Sequence, residues 1–500
     1  MLHLKSGKIN KRITRSLAMC LLFAMTVSKV DAHDRMVGMG EGKDSITFAS
    51  ITATGLWVLD VNTEQGVWPT ADYVYAPEGA WGLSIVNATD VPGRLMILDG
   101  NSVIYDSGDY VQDAKGMTLR LRGNSSAFYA KKPYKITLQD KADLLKRNNP
   151  SFRDKHWLLI RDDEQFVAQG FELNRLLGMP WTPGYRYVNV VINNEYCGVY
   201  MLVESVRRNT NCRINISKNG FLFELDPYWW KVDTYIESCL GFPVHYTFKY
   251  PETEELTDGD VAFMTDLLQK YEASMFNGHY EDYIDVDSYA KWTLGHDILS
   301  TNDAAGSNMY YMKYDRSASS KMVMPLMWDF TSQETDTARW ARVHRDQYSP
   351  FFRNSNKIFL AAYVEHWHAI KEVLCDGMAD ALNGLKTSAQ GKGLYASMTL
   401  NNRRWGTYYS PYSSIYKRVQ WFKLRMPWLS RNIDALVARG DVNIDGVVDV
   451  ADVNLLINMV LGKIAPALWK GDLTGDGTID VGDVNALINI VLATQEPETK

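Results

Sequence analysis

Alternating apolar and polar positions in the first part of the chain predict antiparallel sheet. Residues 46–140 contain short alternating runs, and residues 118–122 and 134–138 are the clearest examples. A period of two places successive side chains on opposite faces of a strand. We therefore expect a β-rich N-terminal part over residues 46–115 that leads into the main body of the protein.

Helical periodicity appears later in the chain. Apolar residues recur every three or four positions in residues 167–177, 261–276 and 415–438. Strands followed by helices are typical of an α+β domain. We expect this body to end near residue 436.

The C-terminal part contains an internal repeat, because residues 441–461 and 472–492 share one pattern at an offset of 31 residues. Each copy predicts a loop followed by a helix. Calcium in such loops takes oxygen ligands from positions 1, 3, 5, 7, 9 and 12, with glycine at position 6 for the sharp turn. The residues at the ligand positions are Asp441, Asn443, Asp445, Val447 through its carbonyl, Asp449 and Asp452, and then Asp472, Thr474, Asp476, Thr478 through its carbonyl, Asp480 and Asp483. The pattern predicts two Ca²⁺ sites in a small all-α module over residues 440–494.

This tail resembles a type I dockerin. The last ligand of each loop is Asp rather than Glu, no helix pattern precedes either loop, and the two loops stand in tandem. The resemblance implies a cohesin partner, recognised through residues 450–451 and 481–482. Thr474 replaces an Asn of the pattern, so we expect the second calcium site to be the weaker one.

Composition and charge restrict the classes of protein to which the chain can belong. An apolar content of 46% with 12% aromatic residues indicates a folded protein. Five basic residues, the apolar run 17–27 and the small-residue site 30–32 predict a signal peptide over residues 1–32; a short membrane anchor is the alternative. Removal of residues 1–32 would take the net charge from −6 to about −11, which argues against nucleic-acid binding. We expect a secreted or cell-surface protein with no transmembrane segment in the mature chain.

Four cysteines follow the predicted signal peptide: Cys197, Cys212, Cys239 and Cys375. Four cysteines allow three pairings, and the sequence does not choose among them. Their spacing contains no CxxC or CxxH motif of the kind that binds zinc.

Three stretches of the body could carry chemistry. The turn at residues 122–126, followed by the cationic stretch 131–135, offers N–H groups, hydroxyls and positive charge to a phosphate. Asp303 and Asn308 have the Asp-x4-Asn spacing of a protein-kinase catalytic loop. Asp329, in the sequence Trp-Asp-Phe, follows at a predicted strand end where it could hold Mg²⁺.

From about residue 56 to 436 the chain resembles the CotH-type, spore-coat-H-like kinases. The resemblance rests on residues 122–126, 132–135, 155–159, 198–204, 303–308, 328–330 and 404–406. It implies an atypical protein-kinase-like fold, within residues 116–436, that binds ATP and Mg²⁺. Asp303 would then be catalytic, with Asn308 and Asp329 as metal ligands. Cofactor contacts would come from Arg122, Asn124, Ser125, Lys132 or Lys135, and Glu204 near the nucleotide or paired with a lysine.

The chain also departs from that family's pattern. No His-Arg precedes Asp303, Thr331 replaces an acidic residue, and Phe166 and Val167 stand where members often carry Arg-Asn. The leading hypothesis is a secreted phosphotransferase that acts on a protein or glycan. One alternative is a catalytically silent adhesin or scaffold subunit. Another is a polysaccharide-degrading hydrolase, in which Trp229 and Trp230 would stack on sugars and two carboxylates would face each other.

Overall fold

The computed structural model describes residues 36–37, 46–241, 243–330, 333 and 335–495. The predicted signal peptide and Thr331 lie outside the described residues. Within those ranges, no helix combines the length and the apolar character needed to cross a membrane.

The first half of the chain is built mainly from strands. They are β1 (Met36–Val37), β2 (Ile46–Thr47), β3 (Trp57–Thr63), β4 (Asp72–Tyr75), β5 (Leu83–Val86), β6 (Val91–Asp99), β7 (Ser102–Asp106), β8 (Met117–Leu121), β9 (Tyr134–Ala142), β10 (Asp154–Ile160), β11 (Tyr185–Ile192) and β12 (Glu195–Glu204), with the short helix α1 (Phe48–Thr52) after β2. The strands predicted at residues 118–122 and 134–138 are present as β8 and β9.

Eight of these strands form one curled sheet in the order β3–β11–β12–β10–β9–β8–β6–β7. An additional antiparallel pairing of β3 with β6 closes the sheet into a barrel-like ring, in which β3 and β11 are the parallel neighbours. Alternate residues of β8, such as Leu119, point into the ring and are buried with Ile136 and Trp157. The strands before and after residue 115 therefore share one sheet and one core.

A second, antiparallel sheet follows. It contains β13 (Phe221–Asp226), β14 (Ile236–Glu237), β15 (His245–Tyr250), β16 (Met309–Lys313) and β17 (Met322–Val323), in the order β14–β15–β13–β16–β17. Its central strand β13 is buried along its whole length.

Helices pack around these sheets. They are α2 (Phe166–Leu176), α3 (Asp258–Asn277), α4 (Val286–Leu299), α5 (Arg342–Arg345), α6 (Ser349–Arg353), α7 (Ile358–Thr387), α8 (Ala389–Trp405) and α9 (Pro411–Asp434). The predicted helical segments correspond to α2, α3 and α9. Helix α7 was not among the predicted segments; it packs against α2, α4 and α9. The body is therefore a mixed α+β structure, as expected.

The tail contains α10 (Val450–Val460), α11 (Leu468–Gly471) and α12 (Val481–Gln495). It has a small apolar core of its own that includes Leu456 and Leu487. The four-residue α11 precedes the second loop, where the sequence predicted no helix. All four cysteines of the body, Cys197, Cys212, Cys239 and Cys375, are free thiols.

Candidate functional site

A cavity of about 640 Å³ is lined by residues of both sheets. The ring sheet contributes the turn after β8 and the end of β10. The second sheet contributes side chains of β13, β15 and β16. Further parts of the wall come from α2, from residues 228–232 and from the loops that contain Asp303 and Asp329, so the cavity lies where the two halves of the body meet.

The loop between α4 and β16 brings Asp303 to the cavity. Helix α4 ends at Leu299, where Ser300 adopts a left-handed conformation with φ 52°. Asn308 has φ 58° and directly precedes β16, and Asp329 has φ 59° after β17. Left-handed non-glycine residues are uncommon, and they cluster at functional sites because the surrounding fold must hold them there.

Phe330 fixes the position of Asp329. Its ring is fully buried and lies in edge contact with Phe171, at 6.0 Å between ring centroids. A Cβ atom on Gly170 would lie 2.2 Å from Phe330 Cδ2, so glycine is required at that point of α2. With Phe330 held in the core, the preceding carboxylate faces the cavity.

Asp297 supports the loop that contains Asp303. This fully buried carboxylate accepts hydrogen bonds from the Ala341 N–H at 2.8 Å and from the Tyr363 hydroxyl at 2.8 Å, and it lies 2.7 Å from His344 Nδ1. The Asp297 carbonyl accepts from Ser300 N–H at 3.2 Å. A buried polar network in which the carboxylate is well satisfied holds its surroundings rigid.

Two cations face the cavity without an ion-pair partner among the described residues, Arg122 and Lys231. Lys231 Nζ donates to Ser84 Oγ at 2.8 Å and to Asn124 Oδ1 at 3.1 Å. Burial lowers the pKa of both groups. Nearby carboxylates partly oppose this lowering, such as Asp329 for Arg122 and Asp226 for Lys231. Positive charge is thus available here for an anionic ligand.

Lys249 is neutralised by two carboxylates on the neighbouring strand. Its Nζ lies 3.0 Å from Glu224 and 3.7 Å from Asp226. Burial lowers the pKa of Lys249, but the attraction of these two carboxylates outweighs burial and leaves that pKa raised. The three groups carry one positive and two negative charges, so this cluster beside Arg122 has a formal net charge of −1.

Asp303 is the carboxylate of the loop between α4 and β16, and it is exposed at the surface of the cavity. Partial burial raises its pKa, the negative charge of Asp329 raises it further, and Arg342 opposes both effects. A raised pKa makes a carboxylate a stronger base, which suits the acceptance of a proton from a hydroxyl group.

The structure brings six of the predicted site residues to this cavity: Arg122, Asn124, Ser125, Asp303, Asn308 and Asp329. Lys132, Lys135 and Glu204 do not line it. Lys132 Nζ donates to the Ala127 carbonyl at 2.7 Å, and burial together with Arg207 lowers the pKa of Lys135 on β9. Glu204 pairs with arginines rather than with a lysine: Arg147 at 2.6 Å, and Arg213.

Sequence reasoning missed several cavity residues: Glu224, Asp226, Lys231 and Lys249. Lys131 lay within the predicted cationic stretch 131–135 but was not named as a cofactor contact, and its Nζ pairs with Asp163 at 2.6 Å. A signal for the two acids was present, because they stand two positions apart in the otherwise apolar strand β13. That spacing places both carboxylates on one face of the strand.

In the tail, the two predicted calcium loops close in the same way. Asp441 accepts hydrogen bonds from the N–H groups of residues 445 and 446, and Asp472 accepts from those of 476 and 477. The buried Asp452 accepts from two further backbone N–H groups, at 2.9 Å, and the buried Asp483 from three, at 2.8–2.9 Å. Within the described ranges, no three His, Cys, Asp or Glu side chains are arranged as a group that could hold a metal ion.

A comparison with protein families gives one match. The family described as CotH kinase protein matches residues 119–384, which is just over half of the chain. The matched segment includes the cavity residues from Arg122 to Asp329. No curated protein matches the chain.

Proposed function

The chain belongs to the CotH kinase family, and from that premise we propose that its body is an ATP-dependent phosphotransferase. The observation that supports this proposal most directly is the composition of the cavity. Asp303, Asn308 and Asp329 lie on its loop wall, and the turn at residues 122–126 forms another part of the lining. Phosphoryl transfer needs both kinds of group, oxygen ligands for a metal and donors for phosphate oxygens.

The donor set suits Mg²⁺ bound together with a nucleotide. Asp329 and Asn308 would be the metal ligands, since carboxylate and amide oxygens are hard donors. Mg²⁺ is often held by one or two protein side chains plus phosphate oxygens, so a third acidic ligand is not needed. Bound there, Mg²⁺ would neutralise part of the phosphate charge.

The residues of the chain would bind the phosphates, keep the loop of Asp303 in position and accept a proton. Arg122, Ser125 and Lys231 would donate to the phosphates, in place of the Lys132 or Lys135 expected from the sequence. Asp303 would accept the proton of the acceptor hydroxyl, and its raised pKa favours that role. Asp297 would keep the Asp303 loop in position, because it accepts from both Ala341 and Tyr363.

A thermal-shift experiment with ATP and Mg²⁺ tests the nucleotide site. We expect ATP with Mg²⁺ to raise the Tm of the parent, and Asp329→Ala to abolish that shift. Asp303→Asn should keep the shift but abolish phosphate transfer to a hydroxyl acceptor. Asp315→Asn, in the exposed turn between β16 and β17, is the control and should behave as the parent. A parent that shows no shift with ATP would contradict the proposal and favour a silent adhesin or scaffold.

The hydrolase alternative has less support from the cavity. Asp303 and Asp329 could be mistaken for a pair of glycosidase carboxylates, but Arg122 and Lys231 line the same space. Trp229, which would have to stack on a sugar, already packs against Tyr235 and His245 at 4.7 and 4.6 Å between ring centroids. Release of reducing sugar from a polysaccharide would overturn this preference.

We also propose that the protein is exported and that its tail is a calcium-binding dockerin that binds a cohesin. Support comes from the oxygen-bearing residues at alternate positions of both loops and from the left-handed Gly446 and Gly477 at position 6. Calorimetric titration should give two Ca²⁺ sites, the weaker one lost in Asp483→Ala and the stronger one lost in Asp452→Ala. Equal loss of the stronger site in both variants would contradict the order that Thr474 predicts.

A further inference from the structure

The two repeats of the tail differ at position 4 of their loops. Ile444 and Gly475 are equivalent residues, and both have left-handed backbones, with φ 58° and 78°. Glycine adopts this conformation without penalty, whereas a β-branched residue at positive φ is a genuine outlier with a strained backbone. Retaining isoleucine at this position therefore requires a compensating contact.

The body supplies that contact. The Ile444 side chain is only 2% exposed and is buried in the large core of the body, whereas Leu456 and Leu487 form the separate core of the tail. Full burial of such an apolar side chain is favourable and offsets the strain. Beside it, the stem of Lys357 lies over Gly446, where a Cβ atom would be 3.1 Å from Lys357 Cε.

A second set of contacts attaches the tail to helix α7. The rings of Trp469 and His368 stack in parallel, with 3.9 Å between centroids. Lys470 Nζ lies 3.5 Å from Glu365. Glu365 and His368 are three residues apart and so lie on one face of α7. The tail therefore contacts the body at two places, one at the first loop and one just before the second loop.

The other side of α7 faces the core that supports the cavity. Tyr363 donates its hydroxyl hydrogen to Asp297 at 2.8 Å, and Asp297 in turn holds the loop of Asp303. Trp367, four residues further along the helix, is fully buried. One helix thus contacts the tail on one face and the support of the candidate catalytic loop on the other.

We propose that Ile444 holds the tail against the body, so that the tail and the body unfold as one cooperative unit. A cohesin bound by the tail would then hold the body in one orientation rather than on a free tether. If the first loop binds calcium, as the proposed function states, the ion stabilises the body as well as the tail, because a ligand that binds only the native unit stabilises all of it.

The test uses the full chain and the variant Ile444→Gly, which installs the residue of the second repeat and removes backbone strain. Leu461→Ala, in the same repeat but with a side chain that is 61% exposed and no place among the calcium ligands, is the matched control. We expect one calorimetric transition in the parent and in the control. We expect two transitions in Ile444→Gly. Tryptophan fluorescence identifies the body transition, because the tail contains only Trp469.

Calcium separates this inference from the proposed function. In the parent, calcium should raise the temperature of the single transition. In Ile444→Gly it should raise only the tail transition, with calcium affinity within about threefold of the parent. A single transition in Ile444→Gly whose temperature calcium still raises would overturn the proposal that Ile444 holds the tail against the body. A parent that binds no calcium would overturn only the proposal that the loops bind calcium. The split into two transitions in Ile444→Gly would still support the role of Ile444.

Discussion

Lys131 Nζ lies 2.6 Å from Asp163 Oδ1 and 3.0 Å from Asn401 Oδ1, inside the wall of the cavity. These three residues come from the segment before β9, the segment before α2 and helix α8. Burial lowers the pKa of Lys131, and the negative charge of Asp163 opposes that effect. The ion pair therefore joins three parts of the body at the edge of the candidate site.

Breaking this ion pair should destabilise the body. Asp163→Asn leaves the lysine charge buried without its carboxylate, and such a change costs about 3–5 kcal/mol. The double variant Lys131→Met with Asp163→Leu removes both charges and should lose less free energy of unfolding than the single variant. Urea denaturation measures both values. A double variant less stable than Asp163→Asn would show that the pair itself, and not the uncompensated charge, dominates.

Arg122 and Lys231 should determine the affinity for the phosphates of ATP. Neither side chain is engaged in an ion pair among the described residues, so their charge is available to a ligand. Arg122→Gln or Lys231→Met removes a charge-assisted hydrogen bond of roughly 1.5 kcal/mol, which is about tenfold in Kd. Calorimetric titration of ATP with Mg²⁺ measures this change. Lys270→Met, on the exposed face of α3, is the control. Unchanged ATP affinity in both cavity variants would contradict the prediction that Arg122 and Lys231 bind the phosphates.

Asp162 should make the stability of the body fall as the pH rises from about 4 to about 6. Burial raises the pKa of Asp162 from 3.8 to about 6, although hydrogen bonds from Tyr187, Val167 and Ala168 oppose the shift. Over that window the folded state keeps a proton that the unfolded state has released, so stability decreases with pH and is then constant above 6. The expected loss is about 3 kcal/mol, at 1.36 kcal/mol per pH unit.

The difference in urea stability between the parent and Asp162→Asn isolates this contribution, because other groups cancel in it. Asp315→Asn is a control of opposite sign. Hydrogen bonds from Ser317 lower the pKa of Asp315, so its contribution is lost as the pH falls. A parent-minus-variant difference for Asp162 that stays flat between pH 4 and 6 would contradict the prediction.

Local patterns predicted the parts of the fold that local physics determines. Alternation located β8 and β9, and the short spacing between Asp303 and Asn308 was sufficient to place both at one cavity. Helix α7 was missed although its signal was present in the sequence. Its buried residues recur every three or four positions, from Phe359 through Tyr363 and Trp367 to Leu382, which is the spacing of an apolar helix face.

Which lysine of residues 131–135 lines the cavity could not be predicted locally. Lys131, Lys132 and Lys135 stand close together in the sequence, and only Lys131 meets a carboxylate that is distant in sequence, Asp163. The same limit applies to Glu204, whose arginine partners lie 57 and 9 residues away. Tertiary contacts decide these assignments, because a charged side chain at a strand end can face either a ligand or a partner.

Glu204 should act on stability rather than on nucleotide binding. It accepts from Arg147 at 2.6 Å and from the Gly184 N–H at 2.8 Å, and it pairs with Arg213, whose side chain is fully buried. Glu204→Gln leaves two arginines near a neutral group, which should cost about 3 kcal/mol of the free energy of unfolding. The ATP affinity of the folded variant should equal that of the parent, because Glu204 does not line the cavity.

Glu195→Gln, which removes the partly exposed pair with Arg404 at the other end of β12, is the control and should cost no more than about 1 kcal/mol. Urea denaturation and ATP titration, both at a temperature where every variant is folded, measure the two effects. A Glu204→Gln variant with normal stability and weakened ATP binding would instead place this carboxylate at the nucleotide.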